Sequence, residues 1–109
     1  MLATLESTFS KGSSVHGSSG QILLVEDEET IRETITLALR SEGYSVAIAA
    51  DGRSALDLIR AYIDPSRSPE MPTLDLVILD IMLPAVNGLD ICRFLRREGS
   101  FIPVLMLSA

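Results

Sequence analysis

The stretch Leu76-Val77-Ile78-Leu79-Asp80 decides how this chain folds. Four consecutive apolar residues that end in a carboxylate predict a short strand buried on both faces, as in a parallel sheet. Asp80 then lies at the carboxyl edge of the strand, where open α/β sheets bind their ligands. A carboxylate beside a core costs on the order of several kcal/mol unless solvent or a cation compensates its charge. Asp80 is therefore the first candidate functional residue.

Composition narrows the class of protein. The chain has 109 residues, of which 47% are hydrophobic, and this suffices for one domain with its own core. No apolar run approaches the roughly 20 residues that span a bilayer, and no secretory signal pattern is present. The single cysteine, Cys92, excludes an internal disulfide, and its apolar context at helical spacing favours a packing role. We expect a cytoplasmic protein with no membrane contact.

The charge is unevenly distributed. The net charge of −6 disfavours direct binding of nucleic acid by this segment. Four acidic residues, 26–29, follow an apolar run directly. Glu28 and Glu29 suit the positive end of a helix dipole. That explanation does not extend to Glu26 and Asp27, which fall where the strand ends and a loop begins.

The rest of the chain divides into a tail and one α/β domain. Residues 1–20 are rich in Ser and Gly and are expected to form a flexible extension. Residues 21–109 alternate between apolar strands and amphipathic helices, which predicts a doubly wound parallel sheet with helices on both faces. The predicted strands are 21–25, 45–49, 74–79 and 103–107, and the predicted helices run over about 30–41, 51–62 and 88–98.

Local signals mark the helix ends and one loop. Thr30 and Glu33 match a capping box that would begin the first helix, whose buried face would carry Ile31, Ile35, Ala38 and Leu39. Gly43 and Gly99 are expected to end the first and third helices. Three prolines in residues 64–72 forbid regular structure and predict a loop of unusual length.

Polar side chains follow three of the predicted strands. Because parallel strands end at the same edge of a sheet, Glu26, Asp27, Asp80 and Ser108 are expected to converge there. Carboxylates crowded within several ångströms repel one another by about a few kcal/mol, and a divalent cation is the simplest relief. An all-oxygen site of this kind suits Mg²⁺ rather than zinc or copper.

On these residues the sequence resembles the receiver domain of bacterial two-component response regulators. The matching segments are residues 22–28, 51–56, 76–84, 87–89 and 103–109. Each motif is weak alone, but the acid pair, the strand-ending Asp80 and the Ser-Ala pair after the fourth strand are specific in combination. The resemblance covers residues 21–109 and implies a flavodoxin-like fold with strand order 2-1-3-4-5.

The resemblance also implies roles for the site residues. Asp80 would be the phosphoacceptor, attacking a phosphohistidine on a sensor histidine kinase. Mg²⁺ would be held by Asp27, by Asp80 and by the backbone carbonyl of Met82, with Glu26 acting through water. The hydroxyl of Ser108 would bind the new phosphate and couple it to a distant face. A receiver of this kind accepts a phosphoryl group and is not an enzyme in the ordinary sense.

Two departures from the family pattern stand out. The family's lysine lies at the end of a fifth strand, whereas the only lysine here is Lys11. The resemblance is therefore to a receiver incomplete at its C-terminus, without the fifth strand and the last helices. Residues 64–72 look like an insertion of unassigned purpose. Leu83-Pro84 and residues 89–92 are most similar to regulators with a C-terminal winged-helix DNA-binding domain, so transcriptional output is expected through a domain absent from these residues.

Other functions fit the same residues less well or leave a test to be made. A phosphatase of the haloacid-dehalogenase type needs a second Asp two residues after the first, where this chain has Met82. An unrelated flavodoxin-like domain would explain the apolar strands alone. The main alternative is a truncated receiver that serves as a phosphorylation-independent protein-interaction module. A receiver–receiver homodimer is a further expected pairing.

Overall fold

The architecture follows from seven elements. A computed structural model describes residues 20–107, so the predicted tail before Gly20 and the predicted switch residue Ser108 lie outside the described residues. The strands are β1 (Gln21–Val25), β2 (Ser45–Ala49), β3 (Leu74–Asp80) and β4 (Val104–Leu107), and the helices are α1 (Glu29–Ser41), α2 (Gly52–Ile63) and α3 (Gly88–Arg97). None of the helices within residues 20–107 has the length and apolar character needed to cross a membrane.

The four strands form one parallel sheet in the order β2-β1-β3-β4. In its register Val25 at the end of β1 pairs with Ala49 of β2 and with Leu79 of β3, and Asp80 pairs with Leu107 of β4. This arrangement confirms the predicted doubly wound parallel sheet, and its strand order is the one that the family resemblance implies. The ends of β1 and β3 are neighbours, which brings their following side chains to one place.

The sheet has a core on each face. Alternate residues of β1 point to opposite faces, with Leu23 and Val25 in one core and Ile22 and Leu24 in the other. Helices α2 and α3 cover the first face and α1 covers the second. Residues 76–79 of β3 are at most 1% exposed. The two-sided burial that the apolar run predicted is therefore confirmed.

Helix α1 begins differently from the prediction. Glu28 is its N-cap, and its carboxylate accepts hydrogen bonds from the N–H groups of Thr30 at 3.3 Å and Ile31 at 3.1 Å. The predicted capping box with Thr30 at the cap is wrong, because the carboxylate of Glu28 already satisfies the free donors of the first turn and places Thr30 inside it. Ile31, predicted on the buried face of this helix, is 42% exposed.

The remaining helix ends agree with the sequence signals. Asp51 caps α2 by accepting the N–H of Ser54 at 2.7 Å, and Asn87 caps α3 by accepting the N–H of Asp90 at 3.0 Å. Gly43 and Gly99 follow α1 and α3 with φ of +95° and +80°, the left-handed conformation that ends a helix. Cys92, on α3, is half-buried.

The proline-rich loop between α2 and β3 is confirmed and has internal hydrogen bonds. One carboxylate oxygen of Asp64 accepts both the N–H and the hydroxyl of Ser66 at 2.8 Å. The guanidinium of Arg67 donates to the carbonyl of Met71 at 2.9 Å. The loop leads into the amino end of β3, whereas Asp80 lies at the carboxyl end. It therefore belongs to the edge of the sheet opposite the candidate site.

Candidate functional site

Three carboxylates meet at the carboxyl edge of the sheet. Glu26 and Asp27 follow β1, and Asp80 is the last residue of β3. One oxygen from each of the three lies within 4.8 Å of the others. The pairing of Val25 with Leu79 causes this, because it places the residue after β1 beside the residue that ends β3. The predicted convergence of these three acids is thus observed.

Glu26 is the buried member of the group. It is 3% exposed, its N–H donates to the carbonyl of Ala49 at 3.1 Å, and its carboxylate accepts the N–H of Glu28 at 3.1 Å. Burial raises the pKa of Glu26 above its ordinary value of 4.5. The hydrogen bond from Glu28 opposes this rise in pKa, and the nearby charges of Asp80 and Asp27 add to it. Glu26 therefore carries its negative charge at a cost.

A stability prediction follows from the raised pKa of Glu26. The folded chain holds the Glu26 proton more tightly than the unfolded chain, so the corresponding stability is full below pH 4.5 and is lost as pH rises through the folded-state pKa. Glu26→Gln keeps an acceptor for Glu28 but removes the charge. In urea unfolding without metal, the variant should gain stability relative to wild type as pH rises from 4.5 to neutrality. A difference that stays constant with pH would contradict this assignment.

Asp80 is held by the loop that follows it. Its Oδ1 accepts the N–H of Met82 at 2.9 Å, so the chain turns back over the carboxylate. The other oxygen accepts no hydrogen bond from any residue in 20–107 and is available to a ligand. The side chain of Met82 is 75% exposed. Its predicted role is through the backbone carbonyl, and that role stays a prediction.

Backbone hydrogen bonds within the loop between β3 and α3 fix the path of this loop. The N–H of Gly88 donates to the carbonyl of Ile81 at 3.1 Å, and Ala85 has φ of +66° in a tight turn in which the N–H of Val86 donates to the carbonyl of Pro84 at 2.7 Å. Sequence reasoning found the Asn-Gly start of α3 but missed the turn, because no glycine marks it.

Gly52 and Arg32 support the site through contacts that sequence reasoning did not predict. A Cβ on Gly52 would lie 2.6 Å from the carbonyl oxygen of Val86, so the start of α2 packs directly on the β3–α3 loop. The guanidinium of Arg32 donates to the carbonyls of Glu26 at 2.9 Å and Asp27 at 3.4 Å. The sequence placed Gly52 only within a segment that resembles the family, and it gave Arg32 no role, because an arginine in a helix is common.

The donor set fits a hard divalent cation. All three clustered side chains offer carboxylate oxygens, the ligands that Mg²⁺ prefers. No salt bridge joins any of the three to a described residue, so their mutual repulsion is not offset by a neighbouring side-chain ion pair. Sulfur and imidazole ligands, which favour zinc or copper, are absent from this cluster. The residues present therefore suit Mg²⁺.

Ser108 directly follows the last described residue. The carbonyl of Leu107 accepts the N–H of Ile81 at 3.1 Å, so β4 ends beside the residue that follows Asp80. Ser108 itself lies beyond residue 107, and its role as the switch hydroxyl stays a prediction.

Comparisons with known families and with known proteins agree on the class of protein. Residues 22–109 match the family described as the response regulator receiver domain. The alkaline phosphatase synthesis transcriptional regulatory protein SphR of Synechococcus elongatus is 54% identical over 95 residues, covering 84% of this chain and 35% of that protein. The DNA-binding response regulator MtrA of Mycobacterium tuberculosis is 42% identical over 89 residues, covering 82% of this chain and 34% of its own length. The chain thus spans about a third of these curated relatives.

Solved structures show the same likeness. The response regulator TrrA of Thermotoga maritima, in complex with Mg²⁺-BeF, superposes with a TM-score of 0.69 at 32% identity, covering 83% of this chain and 70% of that chain. The receiver domain of HemR from Leptospira biflexa has a TM-score of 0.68 at 33% identity, covering 84% of this chain and 65% of that chain. The parallel sheet and its helices are therefore those of a flavodoxin-like receiver fold.

Proposed function

The chain belongs to the response regulator receiver domain family, and on that premise we propose that it accepts a phosphoryl group on Asp80 from a phosphohistidine of a sensor histidine kinase. The observation that carries the proposal is the meeting of Asp80 with Glu26 and Asp27 at the carboxyl edge of the sheet. The hydrogen bond from Met82 supports it further, because that bond orients one oxygen of Asp80 and leaves the other available.

The proposed reaction is a transfer between two nucleophiles. The free oxygen of Asp80 attacks phosphorus, an O–P bond forms, and the P–N bond to the donor histidine breaks. The imidazole leaves as a neutral ring that keeps the proton on its other nitrogen. The product is an acyl phosphate, which water can hydrolyse to restore the carboxylate. The burial of β3 supports this role by fixing the backbone of the attacking residue.

We propose Mg²⁺ as the cofactor. Asp27, Asp80 and the backbone carbonyl of Met82 would hold it, with Glu26 acting through water. The ion would neutralise charge on the transferred phosphoryl oxygens. The all-oxygen donor set supports this choice, as does the Mg²⁺-BeF complex of the similar regulator TrrA.

Asp27→Asn provides the test of the metal ligands. Asp27 is exposed, so the substitution removes one carboxylate charge without disturbing the core. We expect Mg²⁺ affinity to fall by roughly tenfold or more in calorimetric titration, with unchanged thermal unfolding of the metal-free protein. Glu29→Gln, which removes an exposed acid of α1 outside the cluster, is the matched control. Equal affinity in Asp27→Asn and wild type would remove Asp27 from the site.

The output of the signal is proposed from the relatives. SphR is a transcriptional regulatory protein and MtrA is a DNA-binding response regulator. We propose that phosphorylation, sensed by Ser108, shifts a two-state equilibrium of the domain and controls transcription through a region outside these residues. Receiver–receiver pairing would be a further partner interaction. The net charge of −6 supports DNA contact outside this segment. A cytoplasmic location follows from a role on bacterial DNA.

A further inference from the structure

We infer that Arg32 is a positioning residue for the proposed metal site, acting by holding the backbone that carries two of its carboxylates. This inference rests on the proposed function. One guanidinium nitrogen of Arg32, Nη1, donates to the consecutive carbonyls of Glu26 at 2.9 Å and Asp27 at 3.4 Å. Within residues 20–107 no other group donates to these two carbonyls. Among the described residues, Arg32 is therefore the only hydrogen-bond donor to these two carbonyls.

Arg32 holds a part of the backbone that lies outside the helices and strands. β1 ends at Val25, and α1 begins at Glu29, so Glu26 and Asp27 lie outside both elements. The carboxylates of both residues face that of Asp80 within 4.8 Å, and their repulsion favours movement of the loop away from β3. Charge-assisted hydrogen bonds from a half-buried arginine oppose that movement. Arg32 is part of α1, and the N-cap of this helix, Glu28, directly follows Asp27 in the chain.

The positive charge of Arg32 and its hydrogen bonds to the loop would affect Mg²⁺ affinity in opposite directions. If Arg32 acted only as a nearby positive charge, it would repel the cation, and removing it would strengthen Mg²⁺ binding. If Arg32 holds the loop, removing it lets the carboxylates separate, and Mg²⁺ binding weakens. The sign of the change in affinity therefore separates the two explanations.

The chain contains a matched control in Arg40. Arg32 and Arg40 lie on the same helix and line the same shallow groove between α1 and β2. Arg40 donates instead to the carbonyl of Val46 at 3.2 Å, in β2 and outside the acidic loop. Arg40→Gln thus removes an equal charge from the same helix without touching the proposed site.

The test compares Arg32→Gln, Arg32→Lys and Arg40→Gln in the full chain by calorimetric titration with MgCl₂. We expect roughly tenfold weaker binding in Arg32→Gln, in line with the loss of other groups that support metal ligands. Lysine keeps the charge but has a shorter reach, so Arg32→Lys should lie between Arg32→Gln and wild type. Arg40→Gln should bind as wild type does. Unchanged or tighter binding in Arg32→Gln, or equal weakening in Arg40→Gln, would overturn the inference.

A metal-free readout separates this inference from the proposed function. The N–H of Glu28 donates to the carboxylate of Glu26, so its amide NMR signal reports the position of the loop. With no Mg²⁺ added, the amide signal of Glu28 should shift in Arg32→Gln and should not shift in Arg40→Gln. Should wild type fail to bind Mg²⁺, the proposed cofactor is wrong, while this signal still decides the role of Arg32. If Arg32→Gln does not fold, Arg32→Lys decides both readouts, and wild-type values for them would overturn the inference.

Discussion

Replacing Asp80 with Asn should abolish the phosphoryl adduct of this protein, because the proposed mechanism forms its only new bond at the free oxygen of Asp80. The experiment incubates the protein with acetyl phosphate and Mg²⁺ and measures intact mass. Wild type should gain one phosphate, and the Asp80→Asn variant none. The amide in the variant can still accept the N–H of Met82, which donates to Oδ1 of Asp80, so the fold should persist. An equal adduct in the variant would assign the chemistry to another residue.

Asp75→Asn is the matched control for this experiment. Asp75 also lies on β3, but near its amino end, where its carboxylate accepts the N–H of Gln21 at 2.8 Å. It should keep the full adduct, because it lies at the opposite edge of the sheet from Glu26 and Asp27. Loss of the adduct in both variants would indicate general damage to β3 rather than removal of the phosphoacceptor.

The same experiment distinguishes the proposed phosphoacceptor function from the alternative function, a phosphorylation-independent interaction module. The family's lysine would come from a fifth strand, so the measurement is made on this chain and on a version extended through that strand. An adduct that requires the extension still supports Asp80 as the acceptor. Absence of any adduct in both versions would favour the phosphorylation-independent interaction module.

Gly88→Ala should be the most destabilising small substitution in the site. An added Cβ would contact the Leu79 side chain closely, and it would lie 2.7 Å from the carbonyl oxygen of Asp80 and 3.0 Å from the Cα of Ile81. Two of these neighbours are backbone atoms, so relief requires α3 to move from β3. We expect a loss of about 3 kcal/mol in the free energy of unfolding, net of the better helix propensity of alanine. This is a large part of a typical total of roughly 5 to 15 kcal/mol.

Urea unfolding and thermal unfolding measure this loss, and Gly43→Ala is the control. A Cβ on Gly43 would meet no atom within 4 Å, so only its left-handed backbone, with φ of +95°, opposes the change. That backbone term costs about 1 kcal/mol. Gly88→Ala should therefore lower the unfolding temperature well beyond Gly43→Ala, by about 15 °C from wild type. Equal losses in the two variants would show that α3 yields easily.

Much of the fold was predictable because its signals are local. The run of apolar residues in β3 predicted two-sided burial without any knowledge of its neighbours, since period and length belong to a single segment. Gly43 and Gly99 marked helix ends through their own backbone preference. Even the meeting of Glu26, Asp27 and Asp80 followed from sequence, because strands that run parallel must end at one edge.

The errors in prediction lie where two local solutions compete. Thr30 with Glu33 matched a capping pattern, but Glu28 supplied the acceptor two residues earlier and became the cap. The cap at Glu28 satisfies the N–H groups of Thr30 and Ile31, whereas a cap at Thr30 would begin the helix two residues later. Ile31 was placed on the buried face by periodicity alone, and its position in the first turn leaves it exposed.

The sequence by itself determined the order of elements, the buried strand and the chemical type of the site, because these depend on periodicity and on the side chains that follow each strand. Only the tertiary structure decided how the site is held. The contact of Gly52 with the loop at Val86 joins segments more than thirty residues apart, and the hydrogen bonds of Arg32 depend on the angle at which α1 leaves β1. Such contacts depend on distances in space, and no local pattern of residues encodes them.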